Sequence, residues 1–292
     1  MASARETVAR AKVRAQQAEQ RINELRPAVP ALNVAMTARE RDRGLGGSVL
    51  AGALAFRLFV PLMPGALLIV TILGFLSSED PKAPAEIANK IGMSGQALTS
   101  IAESAKLSHG AQLSVIAFAL FALVTSSLSA VRALRAIHAL AWGMPLRRFP
   151  RALSAALVFI GWFFAFFALW ALGGWARSSL GPAGLPVTLA LTAAFLALWI
   201  AVSKMLPHPP ELPWRAFLPG AVLVAVGIEA IHVATVLYIS KKAQEASATY
   251  GALGLALVLL TWLYLLGRLI VASAFLNVSV WHQDHPPPQH PG

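Results

Sequence analysis

Residues 48–76 read SVLAGALAFRLFVPLMPGALLIVTILGFL, an apolar run of 29 residues whose single formal charge is Arg57. A helix rising ~1.5 Å per residue needs about 20 such residues to cross a hydrocarbon core ~30 Å thick. This run is longer than that requirement, so a single crossing with tilt, a kink or emergence from the bilayer is expected. Pro61 and Pro64 each remove a backbone donor, which places the expected kink just beyond Arg57.

Five further runs repeat the pattern. They lie at about 110–131, 152–175, 185–206, 217–239 and 251–278, and the helix of the second is expected to continue to Trp142. Residues of the hydrophobic class make up 57% of the chain and charged ones only 13%, against about 25% charged in soluble domains. A chain so poor in charge cannot cover itself with polar surface in water. The expected fold is therefore an all-α integral membrane protein, a bundle of about six transmembrane helices with amphipathic interfacial helices. Residues 1–47 read as a basic amphipathic N-terminal segment, 48–280 as the six-span domain and 281–292 as a disordered tail.

Orientation follows from Lys and Arg. Of 24 such residues, nine precede Ser48 and five (Arg132, Arg135, Arg147, Arg148, Arg151) follow the second span. With the N-terminus cytoplasmic, the inside segments hold sixteen and the outside loops six. The positive-inside rule then puts both termini in the cytoplasm. The same distribution accounts for the net charge of +11 without nucleic acid, and it suits anionic lipid at the cytoplasmic face as partner.

Residues 1–26 carry a thin heptad stripe (Val8, Ala11, Ala15, Ala18, Ile22, Leu25), read as a solvated or lipid-grazing basic helix or as a dimerising one. They show no secretory h-region and cleavage site, so the first apolar run is expected to act as an uncleaved anchor. Between spans one and two, Ile87, Ile91, Leu98 and Ile101 are spaced for short helices on the membrane surface. The tail holds His282, His285 and His290, read as part of a flexible end rather than a metal site.

Ionisable groups inside spans need a partner, water or a route to the interface. Arg57 lies roughly 10 to 15 Å inside the first span, Glu229 about 16 to 18 Å inside the fifth, and Arg268 sits in the sixth. Two arginines and one carboxylate at similar depth suggest a buried ionic cluster of Arg57, Glu229 and Arg268, with His232 one turn from Glu229. Such a cluster either fixes helix packing or lines a polar pathway, while Arg57 alone could reach the headgroups by snorkelling. Glu229-x-x-His232 is half of a carboxylate-bridged dimetal motif, but no second such pair exists, so no metal or cofactor is expected. Ser126, Ser127 and Ser129, and the run Ser48, Ala51, Gly52, Ala55, read as close-packing surfaces. Cysteine is absent, which excludes disulfides and thiol chemistry, and no phosphate loop or zinc spacing occurs. No catalytic residue is expected.

The ordered motifs resemble the YihY/BrkB family of bacterial inner-membrane proteins over roughly residues 40–280. Gly52-Ala-Leu-Ala-Phe-Arg-Leu-Phe-Val-Pro-Leu-Met-Pro64 is similar to the family's first span, and the RALRAIHALAWG stretch (Arg132–Gly143) resembles its basic helix after span two. Trp214-Arg-Ala-Phe-Leu-Pro219-Gly220 resembles the lead into span five, Tyr250-Gly251 and Trp262-Leu-Tyr264 the approach to span six, and Asn277 the asparagine that closes it. Phe275-Leu-Asn277 lacks the glutamate of the family's Gly-Glu-Leu-Asn signature, and Arg57 and Arg268 look closer to the high-GC Gram-positive branch. The resemblance implies a role in envelope integrity and serum resistance, with lipopolysaccharide export for some members and a ribonuclease label for others. The functions to separate are transport of a lipid or other amphipathic envelope component, a scaffold that recruits partners, and a membrane nuclease. Clustered carboxylates and histidines for metal-assisted phosphodiester hydrolysis are missing from the sequence.

Overall fold

The computed structural model describes residues 26–79, 109–145, 152–180, 184–234 and 252–285, together with Arg10, Gln17, Gln20, Arg21 and Glu24. The described residues form helices and no strand. In chain order these are α1 (Pro30–Gly44), α2 (Gly47–Phe59), α3 (Leu62–Glu79), α4 (His109–Ala141), α5 (Ala152–Leu180), α6 (Gly184–Met205), α7 (Leu218–Ala234) and α8 (Ala252–Asp284). A 3-10 turn, Trp214–Phe217, leads into α7.

Among the described residues five stretches are long and apolar enough to cross a membrane: Gly47–Ile72, Gly110–Ala141, Pro186–Met205, Trp214–Ala234 and Ala256–Asp284. The sixth helix of the bundle is α5, a 29-residue helix whose described apolar stretch is Leu153–Phe166. The helices form a closed ring. α4 packs beside α2 and α3, then α5, α6, α7 and α8 follow in chain order, and α8 returns to α2. The chain thus buries its last apolar helix against its first.

The first crossing breaks where the sequence places its prolines. α2 stops at Phe59, Val60 and Pro61 form a turn, and α3 starts at Leu62. Pro61 cannot donate to the preceding turn, and Pro64 falls in the first turn of α3, where a missing N–H costs nothing. α4 ends as a Schellman motif: Gly143 takes φ +65°, and the Met144 N–H reaches the Ala139 carbonyl at 2.8 Å. That ending falls one residue short of the expected Trp142.

Small residues let the helices touch. Gly47, Ala51 and Ala55 recur every four residues on the buried face of α2, against α8. A Cβ on Gly267 of α8 would lie 2.7 Å from the Ala51 carbonyl oxygen, so the two backbones meet there. Of the small residues expected on this face, Ser48 is exposed and Gly52 only half-buried. Gly47 takes the position that periodicity from Ser48 assigns one residue too late.

Two boundaries differ from expectation. α8 runs to Asp284, so residues 281–284 belong to a helix and not to a disordered tail. The cause is packing: Val278 is fully buried, Trp281 packs against the core, and α1 lies along this end of α8. Residues 30–44, expected only as a lead-in, form that helix, with Pro30 at its first turn. All six residues of the heptad stripe, the loop with Ile87, Ile91, Leu98 and Ile101, residues 235–251 and His290 lie outside the described residues.

Candidate functional site

The three intramembrane charges occupy separate surroundings. Arg268, midway along α8, extends to the end of α1 and donates from Nη1 and Nη2 to both carboxylate oxygens of Asp42, each at 2.9 Å. This bidentate pair gives the guanidinium of an apolar helix a charge-assisted partner on a different helix. Arg57 donates from Nη1 to the Ser129 carbonyl of α4 at 3.3 Å, using the second lone pair of a helical C=O. Glu229 and His232 line a void of about 10 Å³ with Leu169, Gly173, Leu191, Phe195 and Ile228. That is space for on the order of one water. Neither Arg57 nor Arg268 borders it, so the expected cluster is divided among α1–α8, α2–α4 and α5–α7. Arg57 meets the Ser129 carbonyl and Arg268 meets Asp42. Among the described residues no group of three His, Asp or Glu is placed to hold a metal ion.

The family-motif positions do converge. Gly220 is the third residue of α7, where a backbone N–H has no partner inside its own helix. Asn277 of α8 supplies one, its Oδ1 accepting from the Gly220 N–H at 2.7 Å in a buried setting. A Cβ on Gly220 would stand 2.6 Å from the Ser273 carbonyl and 2.7 Å from the Asn277 side chain. Only glycine allows this joint. Pro219 precedes it in the first turn of α7. Trp214 is half-exposed at the start of this motif, with the Arg215 guanidinium 5.7 Å from its ring centroid. Asn277 therefore caps a neighbouring helix and does not close its own, which continues for seven residues. Tyr250 and Gly251 lie outside the described residues.

The kink at Pro61 opens a groove of about 630 Å³ between α2, α3 and α4, lined by Phe56, Phe59, Val60, Met63, Pro64, Ala122, Thr125 and Ser126. The groove is apolar where a polar cavity is expected. Its two hydroxyls already donate within α4, Thr125 to Phe121 and Ser126 to Leu123.

A different cavity, of about 330 Å³, lies between α4, α5 and α6. Val131, Leu134 and Arg135 of α4, Phe159, Gly161 and Trp162 of α5, and Leu198, Val202 and Met205 of α6 are among its walls. Val158, Ala201 and Met205 are exposed, so the cavity is open to the surroundings. Its floor is aromatic. Trp162 packs 6.1 Å from both Phe166 and Trp199, and Phe166 packs 5.4 Å from Phe195. These rings separate the cavity from a void of about 10 Å³ at the bundle centre, bordered by Val224, Ile228, Leu266 and Ile270. Among the described residues Arg135 is the only charged side chain in the wall, and it stands at the end of the bundle where α4 terminates. Sequence reading registers Arg135 only as topogenic charge. Gly161 of α5 lines the same cavity as Arg135, but neither residue announces this in the sequence, because it depends on which helices face each other.

A family model described as virulence factor BrkB matches residues 41–291. YfkH of Bacillus subtilis (strain 168), described as a ribonuclease-like protein, is 29% identical over 133 residues. That alignment takes in 46% of this chain and 43% of YfkH, so the chain spans under half the length of this relative. No solved structure matches.

Proposed function

This chain belongs to the BrkB virulence-factor family, and from that premise we propose that it transports a lipid or other amphipathic envelope component and so supports envelope integrity. The observation that carries this reading is the open apolar cavity of about 330 Å³ with one arginine at its rim. A ligand half apolar and half polar is what such a wall accommodates. The reading places the protein in the bacterial cytoplasmic membrane, with the α1 end and both termini on the cytoplasmic side. It involves no covalent step, no cofactor and no metal.

The experiment is reconstitution into vesicles that carry fluorescently headgroup-labelled lipid. Protein-dependent acceleration of label exposure to an impermeant quencher, lost in Gly161→Leu, supports transport. Exchange at the protein-free rate in every lipid tested rejects it. The ribonuclease-like description belongs to YfkH, and in our reading it does not extend to this chain. Purified protein should leave labelled tRNA precursors intact with each of several divalent metals.

A second reading, a scaffold that recruits partners, is favoured by one observation. α1 is held along the end of α8 and leaves Arg39 and Arg43 exposed. Neutralising Arg39, Arg43 and Arg132 together should abolish the cellular phenotype if the scaffold reading is correct, and Gly161→Leu should not.

A further inference from the structure

We propose that the cavity between α4, α5 and α6 seats one acyl chain of an anionic phospholipid, taken from the leaflet at the α1 end, with the lipid phosphate on Arg135. This rests on the reading of that cavity as a substrate site, and it names the class of substrate.

Three features select the ligand. The first is the apolar wall: apart from Arg135, the cavity is lined by side chains such as Val131, Leu134, Phe159, Leu198 and Val202. Such a wall offers a hydrophilic solute no partner and would strip its water without replacing it. The second is size. At about 330 Å³ the cavity lies at the low end of small-molecule sites, roughly 300–1,000 Å³, and suits one chain rather than a whole lipid. The exposed Val158, Ala201 and Met205 leave an opening from which the remainder of the lipid can stay in the bilayer.

The third is charge. α4, α5 and α6 contain no Asp or Glu. Arg135 stands at the cavity wall, Arg132 one turn before it, and Lys204 on α6 adjoins the lining residue Met205. A chain lying against Trp162 would therefore carry its headgroup towards Arg135 and the basic end of these helices. A guanidinium favours a phosphate through paired N–H donors. An anionic headgroup is preferred over a zwitterionic one because the latter brings a compensating ammonium to the same positive rim.

The test uses the purified full chain and phospholipids with brominated acyl chains, which quench tryptophan on contact. Phosphatidylglycerol should quench the fluorescence contributed by Trp162, defined as the part absent from Trp162→Phe. It should do so at a roughly fivefold lower concentration than phosphatidylcholine. Arg135→Gln should erase that difference while quenching by both lipids persists. Gly161→Leu should abolish quenching by both, since a Cβ at Gly161 meets no atom within 4 Å and the added side chain takes up space in the cavity that Gly161 lines. Melting midpoints near wild type for each variant exclude misfolding as the cause.

Equal quenching by the two lipids overturns the anionic preference and leaves transport of an amphipath standing. No Trp162-dependent quenching in the wild type overturns the site altogether. Selective quenching combined with wild-type vesicles that show no exchange leaves the site standing and removes the transport reading instead.

Discussion

Arg268 and Asp42, 226 residues apart in sequence, face each other through two hydrogen bonds of 2.9 Å at the junction of α1 and α8. Neither group can stay there alone. Arg268 rises from a membrane-spanning helix, and Asp42 sits between Arg41 and Arg43 at the end of a basic one. Asp42→Asn should therefore destabilise the protein by about 1–3 kcal/mol, the loss of charge-assisted hydrogen bonds from a partly buried cation. The reversed pair, Asp42→Arg with Arg268→Asp, should recover part of it. A double-mutant cycle on detergent-solubilised protein measures the coupling. Additive single effects would mean that the pair contributes nothing.

The Gly220–Asn277 joint should respond differently to two substitutions. Asn277→Ala leaves a buried N–H without a partner and should cost about 1–3 kcal/mol. Gly220→Ala forces a Cβ against the Ser273 carbonyl and should also separate α7 from α8, at a cost of about 1–3 kcal/mol. Denaturation midpoints read both. Tolerance of Gly220→Ala would contradict the backbone contact.

Gly267 faces Ala51 as closely. Gly267→Ala should lower the melting temperature through the α2–α8 contact, while Gly161→Ala, in open space, should leave it unchanged. The comparison isolates close approach from the loss of glycine itself. Equal melting temperatures for the two variants would contradict it.

Acid should loosen the start of α1 first. Arg26 donates to Glu40 at 2.7 Å and holds that carboxyl below its ordinary range. A carboxyl whose folded value is depressed contributes above its unfolded value and loses the contribution as pH falls through the folded one. Hydrogen exchange at Leu32 and Asn33, next to the Arg26–Asn33 contact, should accelerate below the usual glutamate range in wild type. In Glu40→Gln it should be fast already at neutral pH. Both groups lie near solvent, so the effect is small and falls with added salt.

Straightening the first crossing is the last test. Pro61→Ala restores a donor at the α2–α3 break and should extend α2 through Val60 into α3, narrowing the groove beside Phe56 and Met63. Distances between spin labels at Val49 and Leu67 should lengthen. An unchanged distance would assign the break to packing against α4.

What the sequence by itself determined is what depends on local physics. Apolar runs long enough for a bilayer set the number and type of helices, because each must satisfy its backbone internally in lipid. Pro61 marked the break, since a missing donor acts within one turn. The family motifs around Trp214–Gly220 and Asn277 were likewise legible as positions, though not as a joint. Tertiary structure decided the partners. Depth alone grouped Arg57 with Glu229 and Arg268, yet depth does not say which helix lies beside which. Asp42 became the acceptor for Arg268 only because α1 folds back along α8. The cavity of α4, α5 and α6 exists for the same reason: Gly161 and Arg135 define a rim only when three helices separate around them.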